Sequence, residues 1–337
     1  MGQTGQELRI AVLGAGAAGL TCARILHDRG RAVTVLDKGR GIGGRVASRR
    51  VSEVLAFDHG APSLPENMGI PDDWSNTAVP ADRLSSSLRP WKPFSGRKAL
   101  SRGRHSRLVG VPTMNAPLKA LAEGIDVRLG AEIAEVEREE SGWRLILSDG
   151  TMLPVFDRVI STIPAPQAQQ VYAAFPSVTE PLSAVKMAPC WTVMLAFEEP
   201  VDPGFDLACN PTPLLSLLVR NSSKPGRAID QHCWVAHARA AWSRECLEMR
   251  ADEVLPLLLN EVGGAFGRRL PSVLYAAAHR WRYARTETPL GRPFLSMANG
   301  TLLLGGDWAL GPDISHAIES GAAMARAILE ELRTCLV

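Results

Sequence analysis

The sequence lacks the features that mark membrane and secreted proteins. It has no apolar run near the roughly 20 residues that a membrane-spanning helix needs. Its first residues, MGQTGQELRI, contain no apolar signal region. Its six cysteines are scattered without a CxxC pair, which argues against a zinc site and against a disulfide framework. We therefore expect a reduced, cytoplasmic setting and no metal ion.

A strong charge of either sign is also missing. The 337 residues carry a formal net charge of +2, so nothing points to nucleic acid or to a membrane surface as a partner. The sequence contains no Ser-His-Asp pattern and no paired-carboxylate motif, and it has only three tyrosines. Its length allows a large hydrophobic core and two domains.

The most informative stretch is residues 9–50. A buried strand at 10–13 turns through GAGAAG into a helix at 18–29, and a second strand at 32–36 ends on an acidic residue. Gly14 permits the tight turn, Gly16 lets a pyrophosphate approach the backbone, and Gly19 lets helix and strand pack closely. The helix N-terminus offers free N–H groups and a positive dipole end to phosphates. The pattern predicts a dinucleotide site, in which the acid accepts hydrogen bonds from an adenosine ribose. Its residues are Gly14, Gly16, Ala17, Ala18, Gly19 and Asp37.

The residues that follow Asp37 narrow the choice of dinucleotide. The segment KGRGIGGR places two glycines and an arginine just past the ribose acid. This arrangement suits a second backbone approach to the pyrophosphate, with the arginine supplying positive charge. Acid, short spacer and Gly-Gly-Arg resemble the FAD fingerprint of the flavin amine oxidase superfamily. We therefore expect FAD, and the segment adds Lys38, Arg40, Gly43, Gly44 and Arg45 to its site.

The rest of the chain predicts an α/β fold. Residues 108–166 continue with a helix and a series of strands, whereas residues 167–284 change to strand-like runs followed by helices. Strands followed by helices suggest an α+β domain laid on the first one. We expect a discontinuous Rossmann-type FAD-binding domain, related to glutathione reductase, from 1–65, 108–166 and 285–337. A substrate domain is expected from 66–107 and 167–284.

A second cofactor signature lies near the C-terminus. A strand at 300–304 ends in Gly-Gly-Asp and precedes a helix at 315–332 that is rich in small residues. The superfamily resemblance implies that Asp307 binds ribityl or pyrophosphate oxygens. It also implies that the helix N-terminus points at the flavin pyrimidine and stabilises negative charge there. Gly60 and Ala61 would lie against the flavin ring, and the Ile133 backbone would meet the adenine. The resemblance thus adds to the FAD site His59, Gly60, Ala61, Ile133, Gly306, Asp307, Ile314, Ser315, His316 and Ala317.

Several stretches narrow the resemblance further, among them RNSSKPGR at 220–227, HRW at 279–281 and GDW at 306–308. Together with residues 37–50 they resemble the bacterial renalases, small FAD oxidases of this superfamily. The resemblance implies oxidation of misreduced nicotinamide dinucleotides: hydride passes to flavin N5, NAD(P)+ leaves, and oxygen is reduced to hydrogen peroxide. A dihydropyridine needs no proton removed before hydride leaves, so positioning would carry the rate. We expect a catalytic pocket that contains Asn221 as a polar contact, His279, and Trp281 as a flat wall.

Two departures from the renalase pattern affect the substrate more than the cofactor. Pro62 and Ser63 follow Ala61 where renalases carry an aromatic residue, and His316 stands where their last helix opens with Gly-Ala. His316 is either a capping or solvent-exposed residue, or it adds bulk and charge near the pyrimidine. The basic segment 97–107 is either a solvated loop or a landing surface for an anionic substrate.

Two other functions stay open. A flavin-containing amine oxidase needs an aromatic cage, which the three tyrosines make sparse. A non-catalytic protein, in which bound FAD serves structure or regulation, is the alternative of another class.

Overall fold

The computed structural model describes residues 8–65, 87–94 and 107–334. Most of the basic segment 97–107, and most of the 66–107 part of the predicted substrate domain, therefore lies outside the described residues. The strands, in chain order, are β1 (Arg9–Leu13), β2 (Ala32–Asp37), β3 (Arg49–Arg50), β4 (Ala56–Phe57), β5 (Leu64–Pro65), β6 (Leu88–Trp91), β7 (Arg107–Gly110), β8 (Asp126–Leu129), β9 (Ile133–Glu139), β10 (Gly142–Leu147), β11 (Arg158–Ser161), β12 (Lys186–Phe197), β13 (Leu207–Cys209), β14 (Leu215–Arg220), β15 (His232–Ala238), β16 (Val273–Thr288), β17 (Phe294–Met297) and β18 (Leu302–Gly305).

The helices are short except for three. They are α1 (Ala17–Asp28), α2 (Ala116–Ala122), α3 (Ala165–Val171), α4 (Pro176–Leu182), α5 (Ala240–Glu245), α6 (Ala251–Phe266), α7 (Asp307–Leu310) and α8 (Ile314–Thr334), with 3-10 turns at Gly44–Val46 and Asn221–Ser223. Within the described residues, no helix combines the length and the hydropathy that a bilayer span requires.

A mainly parallel sheet forms the first layer of the fold. Its strand order is β17-β18-β11-β1-β2-β8, and every neighbouring pair is parallel except β17 with β18. The strands β1, β11 and β18 are buried almost throughout, as expected for parallel strands covered on both faces. This sheet confirms the predicted α/β fold with a Rossmann-type domain.

Helices and a hairpin cover the two faces of this sheet. On one face α1 and α8 pack closely: a Cβ added at Gly321 would lie only 2.2 Å from the Ala18 carbonyl oxygen, so the contact requires glycine there. On the other face lie α3, α4 and the antiparallel pair β9–β10, with Trp143 and Tyr172 in their core. The packing of α3 and α4 means that the chain leaves this layer near Lys186, about 20 residues after the predicted boundary.

A second, antiparallel sheet of order β13-β14-β15-β12-β16 forms the other half. One face is apolar and packs on α6, with Trp191 and Trp234 in the core. The side chains at alternate positions form the other face, where apolar residues such as Met194 and Tyr275 pack on Leu55 and Phe57 at β4. This alternation is typical of an antiparallel sheet.

The largest difference from the sequence prediction concerns β16. Its 16 residues include the polar-aromatic stretch 279–283, which the sequence analysis does not identify as a strand. The alternation is hidden because arginines occupy one face and aromatic or histidine side chains the other, so neither face reads as apolar. The strand-like runs and the helices expected within residues 167–284 correspond to β12, β14 and β15 and to α5 and α6.

Candidate functional site

A cleft of about 2550 Å³ lies between the two sheets. One wall is built at the carboxyl ends of β1, β2, β11 and β18, where parallel α/β sheets bind ligands. The opposite wall, which we call the substrate wall, is formed by the exposed face of β12, β15 and β16. The cleft therefore joins a nucleotide-binding edge to a second surface of different character.

The turn from β1 to α1 exposes its backbone to the cleft. Gly14 has a φ of +106°, which favours glycine, and a Cβ on Gly19 would lie 1.9 Å from the Gly14 carbonyl oxygen. A Cβ on Gly16 would meet nothing within 4 Å. No side chain caps α1, so its first N–H groups are free for a ligand. This turn therefore has an open space at a helix N-terminus, which is the arrangement that a pyrophosphate requires.

Asp37 ends β2 beside this turn. Its Oδ2 accepts a hydrogen bond from the Ala15 N–H at 2.6 Å, and its Oδ1 accepts one from the Gly39 N–H at 2.6 Å. A carboxylate has about four acceptor positions, so two remain for ribose hydroxyls. The backbone bonds fix the carboxylate at the cleft edge, where the predicted ribose contact requires it.

The two signatures from opposite ends of the chain meet in an ion pair. Arg45 and Asp307 form a bidentate pair, with Arg45 Nη1 donating to Oδ2 at 2.6 Å and Nη2 donating to Oδ1. Thr286 Oγ1 donates a third hydrogen bond to Oδ2 at 3.1 Å. The Asp307 side chain is 6% exposed and that of Arg45 is 30% exposed. The arginine therefore faces the cleft, while the aspartate orients it from behind.

His316 belongs to the first turn of α8. Its Nδ1 accepts a hydrogen bond from the Asp313 N–H at 3.2 Å, and its ring packs on Gly311. This contact matches the capping alternative of the sequence analysis. The same ring lines the cleft with Ala317, so it also narrows the cleft beside the helix N-terminus.

These observations test whether FAD fits. The open Gly16 turn, the uncapped α1 N-terminus, the fixed Asp37 carboxylate and the outward-facing Arg45 supply pyrophosphate and ribose partners on one wall. Of the predicted FAD residues, all but two line the cleft; Gly19 packs inside α1 and Ser315 lies outside the wall. The residues present therefore fit the cofactor.

An aromatic cluster lies on the substrate wall. The rings of His59, His279 and Trp281 have centroid separations of 4.8, 5.1 and 4.5 Å. Trp281 Nε1 donates to the His59 carbonyl oxygen at 3.0 Å, which links β16 to the segment preceding Gly60 and Ala61. The structure thus brings the predicted His279 and Trp281 together with His59.

The histidines of this wall are uncharged near neutral pH. Burial is the largest cause that lowers the pKa of His59 to about 4, with His279 and Arg49 lowering it further. Burial, followed by the charge of Lys224, lowers the pKa of His237 to about 4. Burial and Arg49 also lower the pKa of His279. The substrate wall therefore presents neutral imidazoles beside positive charge.

Asn221 does not reach the cleft. It is 1% exposed, its Nδ2 donates to the Ala56 carbonyl oxygen at 3.1 Å, and its Oδ1 accepts the Asp58 N–H at 3.3 Å. The predicted polar contact with a substrate is therefore replaced by contacts with the backbone of the segment that precedes His59. The reason is that both ends of the amide are used by the chain itself.

The rest of the 220–227 motif surrounds Asp58. Lys224 Nζ donates to Asp58 Oδ2 at 3.0 Å and Arg227 Nη2 at 2.6 Å, while Ser48 Oγ donates to Oδ1 at 2.6 Å. Burial would raise the pKa of Asp58, but Lys224 and Arg227 hold it well below its usual range. The motif thus fixes the second sheet to the segment that carries His59, Gly60 and Ala61.

Sequence reasoning missed four residues of the site. Thr162 packs against Gly14, Asn115 Nδ2 donates to the Ile42 carbonyl oxygen at 2.8 Å, and Thr286 bonds Asp307. The fourth is His237, whose Nε2 is buried with no hydrogen-bond partner among the described residues. The alternation of β15 is visible in the sequence, but it does not reveal which face of the strand meets the cleft.

Positive charge dominates the substrate side of the cleft. The arginines that line it there are Arg49, Arg50, Arg107, Arg239, Arg280, Arg282 and Arg285. Arg280 and Arg282 pair with Glu248, and the acidic Glu287 pairs with Arg244. Arg49, Arg50 and Arg285 are exposed and form no ion pair with the described residues. This side of the cleft therefore suits an anionic ligand.

Comparison with known proteins finds relatives that match parts of this sequence. The chain is 30% identical over 161 residues to 3-amino-4-hydroxybenzoate 2-monooxygenase of Streptomyces cremeus, a match that covers 44% of this chain and 37% of that protein. It is 40% identical over 62 residues to an L-amino-acid oxidase of Siganus canaliculatus, which covers 18% of this chain and 12% of the relative. The chain thus matches well under half the length of these curated relatives.

The fold is shared with a solved oxidase structure. Cyclohexylamine oxidase from Brevibacterium oxydans IH-35A superposes with a TM-score of 0.71 at 16% identity, covering 97% of this chain and 100% of that one. Residues 12–68 match the model of an NAD(P)-binding Rossmann-like domain. Residues 85–329 match the model described as flavin containing amine oxidoreductase. Because that match spans well over half of the chain, the protein belongs to the flavin containing amine oxidoreductase family, and its cofactor is FAD.

Proposed function

We propose that this protein is an FAD-dependent oxidase of misreduced dihydronicotinamide dinucleotides, with oxygen as the electron acceptor and hydrogen peroxide as the product. The proposal combines the renalase resemblance with the family assignment and the geometry of the cleft. The substrate would lie in the same cleft as the flavin, since the described chain contains a single Gly-rich βαβ unit of this kind.

The charge of the substrate side is the observation that carries the proposal. A dinucleotide brings two phosphate charges, and Arg49, Arg50 and Arg285 are exposed there without ion-pair partners among the described residues. Arginine is suited to phosphate because its planar fork donates two parallel hydrogen bonds. A protonated amine would meet repulsion at the same place.

The residues of the wall would position the substrate rather than remove a proton. When bound, FAD supplies N5 as the hydride acceptor and passes the electrons on to oxygen. The nitrogen lone pair of a dihydropyridine drives hydride departure, so no base has to act first. His59 and His279 are neutral because their pKa values are lowered, which avoids a cation beside the positive charge that develops on the oxidised ring.

Trp281 would provide the flat surface for ring positioning. Its indole is fixed by the Nε1 hydrogen bond to the His59 carbonyl oxygen and by edge contact with His279. An indole that is held in one orientation positions a planar ring at low entropic cost.

Amine oxidation is the second candidate, and the family model itself favours it. A neutral amine would lie against Trp281, the two histidines packed on it, and Tyr283, which lines the same cleft. The structural neighbour is described as a cyclohexylamine oxidase, and that likeness concerns the fold.

Anaerobic reduction tests the proposal. FAD-loaded protein is mixed with the misreduced isomers of NADH, with ordinary NADH and with an amine panel, and the flavin absorbance is followed before air is admitted. We expect the misreduced isomers to bleach the flavin and air to restore it with one equivalent of peroxide. Bleaching by amines alone would support the second candidate, and a flavin that no reductant bleaches would contradict both.

A variant that lacks two arginine charges distinguishes recognition of the substrate's phosphates from the rate of hydride transfer. Replacing Arg49 and Arg285 by glutamine should raise KM for the dinucleotide about tenfold, because each loses a charge-assisted hydrogen bond. The bleaching rate at saturation should change little. Arg128→Gln, on β8 away from the cleft and paired with Asp126, is the matched control. An unchanged KM would contradict phosphate recognition at this side of the cleft.

A further inference from the structure

We propose that Thr286 is a positioning residue that makes FAD binding depend on the docking of β16. Thr286 lies near the end of β16, the strand that also carries His279 and Trp281. Its hydroxyl reaches across to Asp307, which follows β18 of the first sheet. This inference concerns the cofactor and does not depend on which substrate is oxidised.

Three side chains form a chain of contacts from the second sheet to the cofactor edge. Thr286 Oγ1 donates to Asp307 Oδ2 at 3.1 Å, and the same carboxylate holds both terminal nitrogens of Arg45. Thr286 is 4% exposed and Asp307 is 4% exposed as a whole residue. Water therefore has little access to replace the threonine hydroxyl.

The hydroxyl fixes the plane of the carboxylate. A carboxylate that accepts only from Arg45 can rotate together with the guanidinium, whereas the third donor, which comes from another element, removes that freedom. Arg45 is then presented to the cleft in one orientation before any ligand arrives. A ligand that binds a preorganised group loses less conformational entropy, so its affinity is higher.

The coupling between FAD binding and the docking of β16 has to act in both directions. If the docked β16 favours FAD through Asp307 and Arg45, bound FAD must favour the docked β16 by the same factor. The substrate wall is then best ordered when the cofactor is present, because His279 and Trp281 lie on the same strand. The protein would thereby bind its substrate best after its cofactor.

The test is a pair of measurements on Thr286→Val, which keeps the shape of the side chain and removes the hydroxyl. We expect the Kd of FAD for the apoprotein, followed by flavin fluorescence, to rise about tenfold, the loss expected for one hydrogen bond to a charged group. Hydrogen exchange over residues 273–288 should slow on FAD binding in the wild type. It should slow much less in the variant.

Thr288→Val is the matched control, because Thr288 is exposed and lies two residues further along the same strand. Thr286→Ser keeps the donor and should bind FAD as the wild type does, and Thr286→Ala replaces the valine variant if that one does not fold. The proposal is overturned if loss of the hydroxyl changes Kd by less than about twofold. It is equally overturned if Thr288→Val has the same effect, or if FAD protects β16 equally in all variants.

Discussion

At the scale of single residues, neighbouring glycines of one turn have different physical roles. Gly19 is required by the protein itself, since a Cβ there would lie 1.9 Å from the Gly14 carbonyl oxygen. Gly16 is surrounded by open space, and its backbone has a φ of −89°, which any residue can adopt. The two positions therefore separate a requirement of folding from a requirement of the ligand.

Alanine substitutions distinguish these roles. Gly16→Ala should leave the stability of the apoprotein nearly unchanged and weaken FAD binding by about tenfold or more, because the methyl group occupies the space needed by the pyrophosphate. Gly19→Ala should destabilise the apoprotein itself, since the backbone of the turn has to move. Thermal unfolding of the apoproteins and FAD titration measure the two effects. Unchanged FAD affinity in Gly16→Ala would show that the cofactor does not use this turn.

At the scale of elements, the 220–227 motif connects the second sheet to the segment that precedes Gly60. Lys224 and Arg227 bring two positive charges to the Asp58 carboxylate, in a site where Asp58 is 1% exposed. The segment 56–59 is held at the same time by Asn221 and by Trp281. The most specific motif of the sequence is therefore needed to place the backbone before Gly60.

Removing the central carboxylate should be costly. Asp58→Asn leaves the charges of Lys224 and Arg227 buried without a counter-charge, and we expect a loss of about 3–5 kcal/mol in the free energy of unfolding. Urea denaturation of the purified protein measures this loss. Asp126→Asn, which breaks the exposed pair with Arg128, is the control and should change stability little. If both variants unfold at the same urea concentration, the Asp58 cluster does not stabilise the fold.

At the scale of the whole molecule, the buried histidines make stability depend on pH. The pKa of His59 and of His237 is lowered from 6.5 to about 4 in the folded protein. Above about pH 6.5 both are neutral in the folded and unfolded states, so their contribution is fully present. As the pH falls towards 4, the unfolded chain binds protons that the folded protein does not, and stability is lost.

The free energy of unfolding should fall with pH at a rate that can be stated. We expect the free energy of unfolding to fall by on the order of 1.4 kcal/mol per pH unit for each histidine below about pH 6. Urea denaturation at about pH 7.5 and about pH 4.5 measures it in the wild type and in His237→Asn. The variant should show a clearly shallower dependence. A wild-type stability that is independent of pH in this window would contradict the burial of neutral imidazoles.

The sequence by itself determined the cofactor half of the protein. The Gly14-to-Asp37 unit predicts a dinucleotide site because its turn, helix N-terminus and acid lie close together along the chain, where short-range rules apply. The family resemblance carried by residues 43–45 and 306–307 then narrows the dinucleotide to FAD. The resemblance also selected His279 and Trp281, which the structure places in the cleft.

Only the tertiary structure decided the substrate half. Alternation along β12 and β15 shows two faces, but which face meets the cleft depends on α6 packing against the other one. Packing also turned Asn221 towards backbone groups and joined Thr286 to Asp307. These contacts link residues of different elements, and their geometry follows from the packing of the two sheets, which no local pattern encodes.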